Sequence, residues 1–240
     1  MWDPDLLLDV VRNDLLRFKV NLHFCVNFDT GYPRGLLVDP TTGKRFVNEL
    51  AGRKERADAI ISIGSPVLLI CDSVAAPYAI FGLSRALSTR VVQTFECLDE
   101  LAETYQINTS ALKETIKRYN DHIIALKEET LSTEITNDKR IGEDPDFGRQ
   151  ITIKSLPIEH PPYYTMRVWP KIHYCCGGVA TDDFGRVLDE KLSPMIQNLY
   201  AVGEVTGGTH GIDRLGGCSL AECLVFGRRI GQTLIKSRFM

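Results

Sequence analysis

Apolar and polar positions along this chain follow one period for a stretch and then switch to another. Residues 5–18 (Asp-Leu-Leu-Leu-Asp-Val-Val-Arg-Asn-Asp-Leu-Leu-Arg-Phe) place apolar side chains at helical spacing and predict an amphipathic helix, whereas residues 19–27, rich in Val, Phe and Leu, read as a strand. Two short apolar runs then flank Asp39-Pro-Thr-Thr-Gly43, the signature of a β-hairpin. Residues 49–62 return to helical spacing with mixed charges on the outer side. Val67-Leu-Leu-Ile-Cys-Asp72 is a continuous apolar run that suits a buried strand. Beyond it the pattern predicts helix over 72–87, extended chain over 90–94, helix over 97–105, and a long helix over 108–127 with Thr109 or Ser110 as its N-cap.

Residues 128–155 are polar and aperiodic and read as a surface excursion around Asp144-Pro-Asp-Phe-Gly-Arg149. Pro157, Pro161 and Pro162 mark a boundary before the extended run Tyr163-Tyr-Thr-Met-Arg-Val. The last third consists of short strands and glycine turns, closed by a helix over about residues 219–236. The pattern therefore predicts an α+β region followed by a glycine-rich β region ending in one helix. A dinucleotide-binding half opens with a strand, Gly-x-Gly-x-x-Gly and a helix, with an acidic residue about twenty positions on. No such run occurs in these 240 residues. If the C-terminal third belongs to a nucleotide-binding domain, the first half of that domain is missing from the chain.

Composition narrows the function classes. With 44% hydrophobic and 25% charged residues the chain is that of a soluble globular protein. A net charge of −3 argues against a general nucleic-acid or membrane-surface binder, since those need a basic field. Seven dispersed cysteines, without a Cys-x-x-Cys pair or histidines at metal-ligand spacing, favour reduced thiols over a disulfide framework or a zinc site. No apolar run is long enough to span a bilayer, and Met-Trp-Asp-Pro-Asp carries no signal-peptide n-region. The expectation is a soluble, intracellular protein without a metal; cytoplasm, mitochondrion and glycosome are not distinguished.

The chemistry concentrates in residues 171–226. This stretch holds His173-Tyr-Cys-Cys-Gly177-Gly178, then Leu199-Tyr-Ala-Val-Gly203-Glu204-Val-Thr-Gly207-Gly208-Thr-His210-Gly211, then Arg214-Leu-Gly216-Gly217-Cys-Ser219-Leu220. Glycines beside His, Glu and Arg suggest backbone packed against a flat or anionic ligand with a few polar side chains aimed at it. Glu204 follows an apolar strand, where α/β folds place ligands, and its carboxylate can accept from ribose or ribityl hydroxyls. A surface Gly-Glu turn is the competing reading. Gly216 and Gly217 lead into the last helix, whose N–H groups and dipole favour an electron-rich group; a plain glycine loop capped by Ser219 fits the same residues. Arg214, with its planar fork, suits a carboxylate. Arg53, by spacing alone, is a residue on a solvated helix face.

These motifs, together with Gly43-Lys-Arg-Phe-Val-Asn-Glu49 and Phe226-Gly-Arg, resemble the flavoprotein of fumarate reductases. The soluble flavocytochrome c type and the trypanosomatid and yeast enzymes are nearest, and succinate dehydrogenase flavoprotein is more distant; the likeness runs over about residues 30–236. The resemblance implies an α+β capping domain (36–160), which closes over a dicarboxylate, and the C-terminal part of an α/β FAD-binding domain (161–240). Residues 1–35 are an unassigned helix and strand. It also implies that FAD is the cofactor, that the dicarboxylate is fumarate or succinate, and that reduced flavin delivers hydride from N5 while a capping-domain arginine protonates the other alkene carbon. Arg53 matches that arginine, and His173 and Arg214 match the residues that hold the substrate carboxylates. Gly203 and Glu204 match the contact to the ribityl or ribose region, and Gly216, Gly217, Ser219 and Leu220 match the loop at the flavin's pyrimidine edge. A guanidinium, with a pKa above about 12, works as an acid only against a very basic carbanion in a dry site.

The chain departs from the family pattern in several places, its unrecognisable His-Pro-Thr segment and residues 1–29 among them. Cys176 replaces a methionine and Asp213 replaces an asparagine beside Arg214. The family's Thr-Glu-x-x-Arg-Gly is reduced to Thr30-Gly31-Tyr-Pro-Arg34-Gly35, without its relay glutamate. Two alternatives to fumarate reduction follow. One is a related flavoprotein acting on another activated alkene, such as urocanate or a ketosteroid. The other is a flavin-free, non-catalytic fragment or paralogue, and the isolated 240 residues are expected to be colourless. The sequence does not identify the electron donor.

Overall fold

The computed structural model describes residues 26–27, 32–33, 35–76, 83–88, 90–130, 140–170, 174–189, 191, 193, 197–212 and 214–238. The helix expected over 5–18 and most of the strand expected over 19–27 lie outside the described residues, as do His173, Asp213 and the segment around Thr30. The chain divides into two compact units, Met1–Pro170 and Lys171–Met240.

The first unit is built on a five-stranded antiparallel sheet. In chain order its described elements are β1 (Val26–Asn27), β2 (Tyr32–Pro33), β3 (Leu36–Asp39), β4 (Lys44–Arg45), α1 (Arg53–Ile63), β5 (Val67–Cys71), α2 (Leu83–Ser88), β6 (Gln93–Phe95), α3 (Leu98–Thr104), α4 (Thr109–Thr130), β7 (Arg140–Glu143), β8 (Gln150–Thr152) and β9 (Tyr163–Val168). The sheet order is β4-β3-β5-β9-β6, with β1-β2 and β7-β8 as separate two-stranded ribbons. The continuous apolar run of β5 follows from its place in the middle of the sheet. Val67, Leu69 and Cys71 face one cluster with Leu37, Ile60, Ala86 and Met166. Leu68 and Ile70 face the opposite cluster with Leu36, Val38, Leu112, Ile116 and Ile123. Strand period two thus feeds two layers at once, because helices cover both faces.

The hairpin expected around Asp39 forms as β3–β4, with Val38 opposite Arg45. Helix α4 turns Leu112, Ile116, Tyr119, Asn120 and Ile123 inward at helical spacing. Its cap differs from the expectation. Asn108 Oδ1 accepts from Ala111 N at 2.9 Å, so the capping side chain is the residue before Thr109 and Ser110.

Two further readings are corrected. Residues 140–152 form the β7–β8 hairpin, in place of the surface excursion expected over 128–155, and Asp144, Arg149 and Ile151 within it are buried. Beside Ile151 the burial is ionic, through Asp144 and Arg149, and apolar periodicity cannot register that part. The proline cluster before residue 163 also does not end the first unit: β9 lies inside its sheet, between β5 and β6. Asn120 fixes the segment leading to β9 by a reciprocal pair with the Ile158 backbone (2.8 and 3.0 Å), and Asp72 accepts from Glu159 N and His160 N.

Among its described residues, the second unit has little regular structure before its helix. Isolated bridges join Val179 with Thr206, Thr181 with Val187, and Arg186 with Tyr200. The apolar run 199–202 is held by Val187 N to Leu199 O and Ala201 N to Gly185 O, and a single 3-10 turn, Gly203–Val205, follows it. Helix α5 (Cys218–Arg238) closes the chain, starting one residue before the expected Ser219. Among the described residues, no helix is long and apolar enough to cross a membrane.

Candidate functional site

Arg53 is the first residue of α1 and is exposed. The segment that presents it is fixed by buried charge. Glu49, fully buried, accepts from Leu37 N (3.2 Å), Arg45 Nε (3.0 Å), Arg45 Nη2 (2.8 Å) and Arg149 Nη1 (3.1 Å). Arg45 Nη1 also donates to Asp144 Oδ2 at 2.6 Å, and the Tyr119 ring lies 5.3 Å from the Arg45 guanidinium and 4.8 Å from that of Arg149. Burial by itself would raise the Glu49 carboxyl, but Arg149 and Arg45 outweigh it and hold the group below the usual carboxylate range. Burial likewise opposes the charged form of Arg45, yet Glu49 and Asp144 push its pKa above the ordinary arginine value. The Arg-Phe-Val-Asn-Glu run of the sequence is therefore a buried ion cluster that locks the chain four residues before Arg53.

His122, Asp144 and Asp146 bring possible metal-ligating atoms within 4.8 Å of one another. Arg45 and Arg118 already hold the two carboxylates, so the grouping belongs to the same ionic network.

In the second unit, Arg214 is buried, with its guanidinium 4.6 Å from the centre of the Tyr174 ring and Nη1 donating to the Leu215 carbonyl at 2.6 Å. The Tyr174 hydroxyl donates to Glu222 Oε2, and His210 Nε2 lies 3.0 Å from the same oxygen. The Tyr174 and His210 rings meet edge to face at 5.5 Å. Glu222, on α5, is buried. Burial would raise its carboxyl, but hydrogen bonds from Tyr174, Thr209 and His210 bring it below the usual range. The same bond from Tyr174 to Glu222, with burial and the nearby charges of Glu222, Glu204 and Cys223, pushes the Tyr174 hydroxyl up to about 12.

Glu204, exposed in the 3-10 turn, accepts from Cys175 N at 3.0 Å through Oε1. It ties the Tyr174–Cys175 segment to the Gly203 turn. The other oxygen has no hydrogen-bond partner among the described residues and can accept from a ligand hydroxyl.

The glycines separate into two groups. A Cβ on Gly178 would stand 2.2 Å from the Val205 carbonyl oxygen, and one on Gly207 would stand 2.8 Å from Gly178 N. One on Gly203 would stand 2.8 Å from Cys223 Sγ. These positions are glycine because the chain packs against itself. In contrast, a Cβ on Gly177, Gly208, Gly211, Gly216 or Gly217 would meet nothing within 4 Å among the described residues. The loop before α5 thus offers open backbone beside a buried guanidinium, which suits a flat or anionic group such as a flavin. Ser219 and Leu220 lie in the first turn of α5, Leu220 exposed. A separate cavity of about 180 Å³ lies between Asp182, Thr206, Gly207 and Arg229.

The structure brings together Arg214, Tyr174, His210 and Glu222, and separately Glu204 and Cys175. Arg53 belongs to the other unit. Tyr174 and Glu222 were not legible as site residues beforehand. The available signal was Glu222 at four-residue spacing with Phe226 and the buried Ile230, an acidic residue on the inward stripe of the helix.

The FAD binding domain family matches residues 23–220. The acrylate reductase flavoprotein subunit of Shewanella woodyi is 34% identical over 86% of this chain and 38% of its own length. The fumarate reductase of Schizosaccharomyces pombe is 34% identical over 82% of this chain and 35% of its own. The chain therefore spans about a third of the length of these relatives. Among solved structures, the open conformation of a flavocytochrome c3 fumarate reductase superposes with a TM-score of 0.62 at 30% identity, over 86% of this chain and 33% of that one. A 3-ketosteroid delta1-dehydrogenase from Sterolibacterium denitrificans shares the fold, with a TM-score of 0.61 at 24% identity. The chain belongs to the FAD binding domain family.

Proposed function

We propose that the complete protein is an FAD-dependent reductase of an α,β-unsaturated carboxylate, with fumarate, reduced to succinate, as its substrate. The first unit, taken through β9, is its capping domain. The second is the C-terminal part of its FAD-binding domain, and the dinucleotide-binding half is contributed by polypeptide outside these 240 residues. The observation that carries this reading is the buried Arg214 guanidinium on the Tyr174 ring, directly before the open backbone of Gly216 and Gly217.

Glu204, Gly203, Gly216, Gly217, Ser219 and Leu220 would hold the cofactor. Reduced FAD, when bound, supplies hydride to one alkene carbon. Arg214 and His173 bind the substrate carboxylates and favour the charge that develops on the adjacent carbon. Arg53 gives a proton from its guanidinium to that carbon and is recharged from solvent or a neighbouring group. With no relay glutamate at Gly31, recharging follows another path. The odd number and dispersed spacing of the seven cysteines support an intracellular setting.

Acrylate is the second substrate reading, favoured by the acrylate reductase subunit among the relatives. The test is reoxidation of the reduced, flavin-loaded complete protein by fumarate and by acrylate in parallel. Acceleration by fumarate supports the first reading, acceleration by acrylate alone supports the second, and acceleration by neither overturns both. Arg53→Ala should lower turnover by about a hundred- to ten-thousand-fold while flavin stays bound, as loss of a general acid does.

A further inference from the structure

We infer that Glu222 is a positioning residue: through the hydroxyl and ring of Tyr174 it sets the plane and place of the Arg214 guanidinium that receives the substrate carboxylate. The inference rests on the reading of Arg214 as a carboxylate anchor and adds a residue that acts behind it.

A guanidinium binds a carboxylate best as a planar fork, so its orientation matters as much as its charge. Arg214 lies over the Tyr174 ring at 4.6 Å, so that ring, together with the Leu215 carbonyl that accepts from Nη1, sets where the guanidinium sits. The ring itself is fixed at two points. Its hydroxyl donates to Glu222 Oε2, and its edge meets the His210 ring at 5.5 Å and 75°. His210 Nε2 in turn lies 3.0 Å from the same Glu222 oxygen. One buried carboxylate oxygen therefore orients both aromatic groups. Glu222 stands on α5, the most regular element of its unit, and is 4% exposed, so the reference point of the chain Glu222–Tyr174–Arg214 is rigid. In Glu222→Gln the amide can still accept from Tyr174, but without the charge that shortens and aligns the bond; in Tyr174→Phe the ring persists without its tether.

The experiment compares Glu222→Gln and Tyr174→Phe with the wild type in the complete flavin-loaded protein. Both variants should keep their flavin and raise the KM for fumarate by about tenfold, with a much smaller change in kcat, the size expected for loosening one charge-assisted hydrogen bond. NMR of ring-labelled tyrosine should show the Tyr174 hydroxyl ionising closer to its ordinary pH in Glu222→Gln. That confirms the link independently of turnover. An unchanged KM in both variants, with the Tyr174 titration displaced, would overturn the positioning role. If the wild type reduces neither fumarate nor acrylate, the reductase reading falls on its own. The inference is then decided by fumarate binding, read as a perturbation of flavin absorption. A roughly tenfold weaker dissociation constant in Glu222→Gln upholds it, and equal binding overturns it.

Discussion

The two units of this chain solve the problem of burial in opposite ways. The first encloses its apolar residues on both faces of one sheet, and among its described residues the large apolar side chains left exposed are Ile61 and Ile124. The second buries Val187 and Ile230 but leaves Leu215, Leu220, Leu224, Val225 and Ile235 between 61% and 74% exposed. Its buried residues include Arg214 and Glu222, and its turns close through backbone contacts at Gly178 and Gly207. The difference separates a unit that specifies its own interior from one that, among its described residues, leaves much of its apolar surface uncovered. Leu220, Leu224 and Ile235 recur on one face of α5 by helical spacing, and a grouped exposed apolar stripe is a candidate interface.

The largest effect that sharpens this contrast belongs to the first unit. Glu49→Ala removes the carboxylate that faces two buried guanidiniums and should cost about 3–5 kcal/mol in urea unfolding, the range for stripping one partner from a buried ion cluster. The pH dependence has a defined sign. Because the folded Glu49 carboxyl lies below its unfolded value, its contribution is complete above the ordinary carboxylate range and is lost as pH falls through the folded value. Glu49→Ala should flatten that acid limb. Glu222 has the same sign in the second unit.

Next in size is the pair Gly178→Ala and Gly216→Ala. A methyl at Gly178 collides with the Val205 carbonyl and should cost about 1–3 kcal/mol, measured as faster hydrogen exchange across 174–209. A methyl at Gly216 meets nothing within 4 Å among the described residues and should leave exchange unchanged, while lowering flavin affinity in the complete protein. Equal effects at the two sites would remove the distinction between glycines that serve the fold and glycines that serve a ligand.

How much could be read from the sequence follows the same division. The β3–β4 hairpin, the central strand β5 and helix α4 were legible because short continuous apolar runs bounded by turns, or apolar residues at helical spacing, face an interior the chain itself supplies. The β7–β8 hairpin was not, since what it buries is Asp144 and Arg149, which read as solvent-facing until their partners Arg45 and Glu49, about a hundred residues away, are known. The glycine clusters were legible as a group, but only the packing around them separates Gly178 from Gly216. Arg214 was marked by its loop, whereas Tyr174 and Glu222 acquire meaning only through each other, across 48 residues.

The smallest effect in the isolated chain is the most discriminating. Leu224 is 73% exposed on α5, so Leu224→Ala should change the unfolding free energy of the 240-residue chain by no more than about 0.5 kcal/mol, as for surface substitutions elsewhere. In the complete protein, if the dinucleotide-binding half covers this face, the same truncation opens a cavity and should cost about 2–5 kcal/mol, with loss of flavin retention on heating. Leu68, buried in the first unit, supplies the control: Leu68→Ala should cost about 2–5 kcal/mol in both forms, because its neighbours lie within the chain. A Leu224 effect that stays small in the complete protein would overturn the proposal that a dinucleotide-binding half docks on this face of α5.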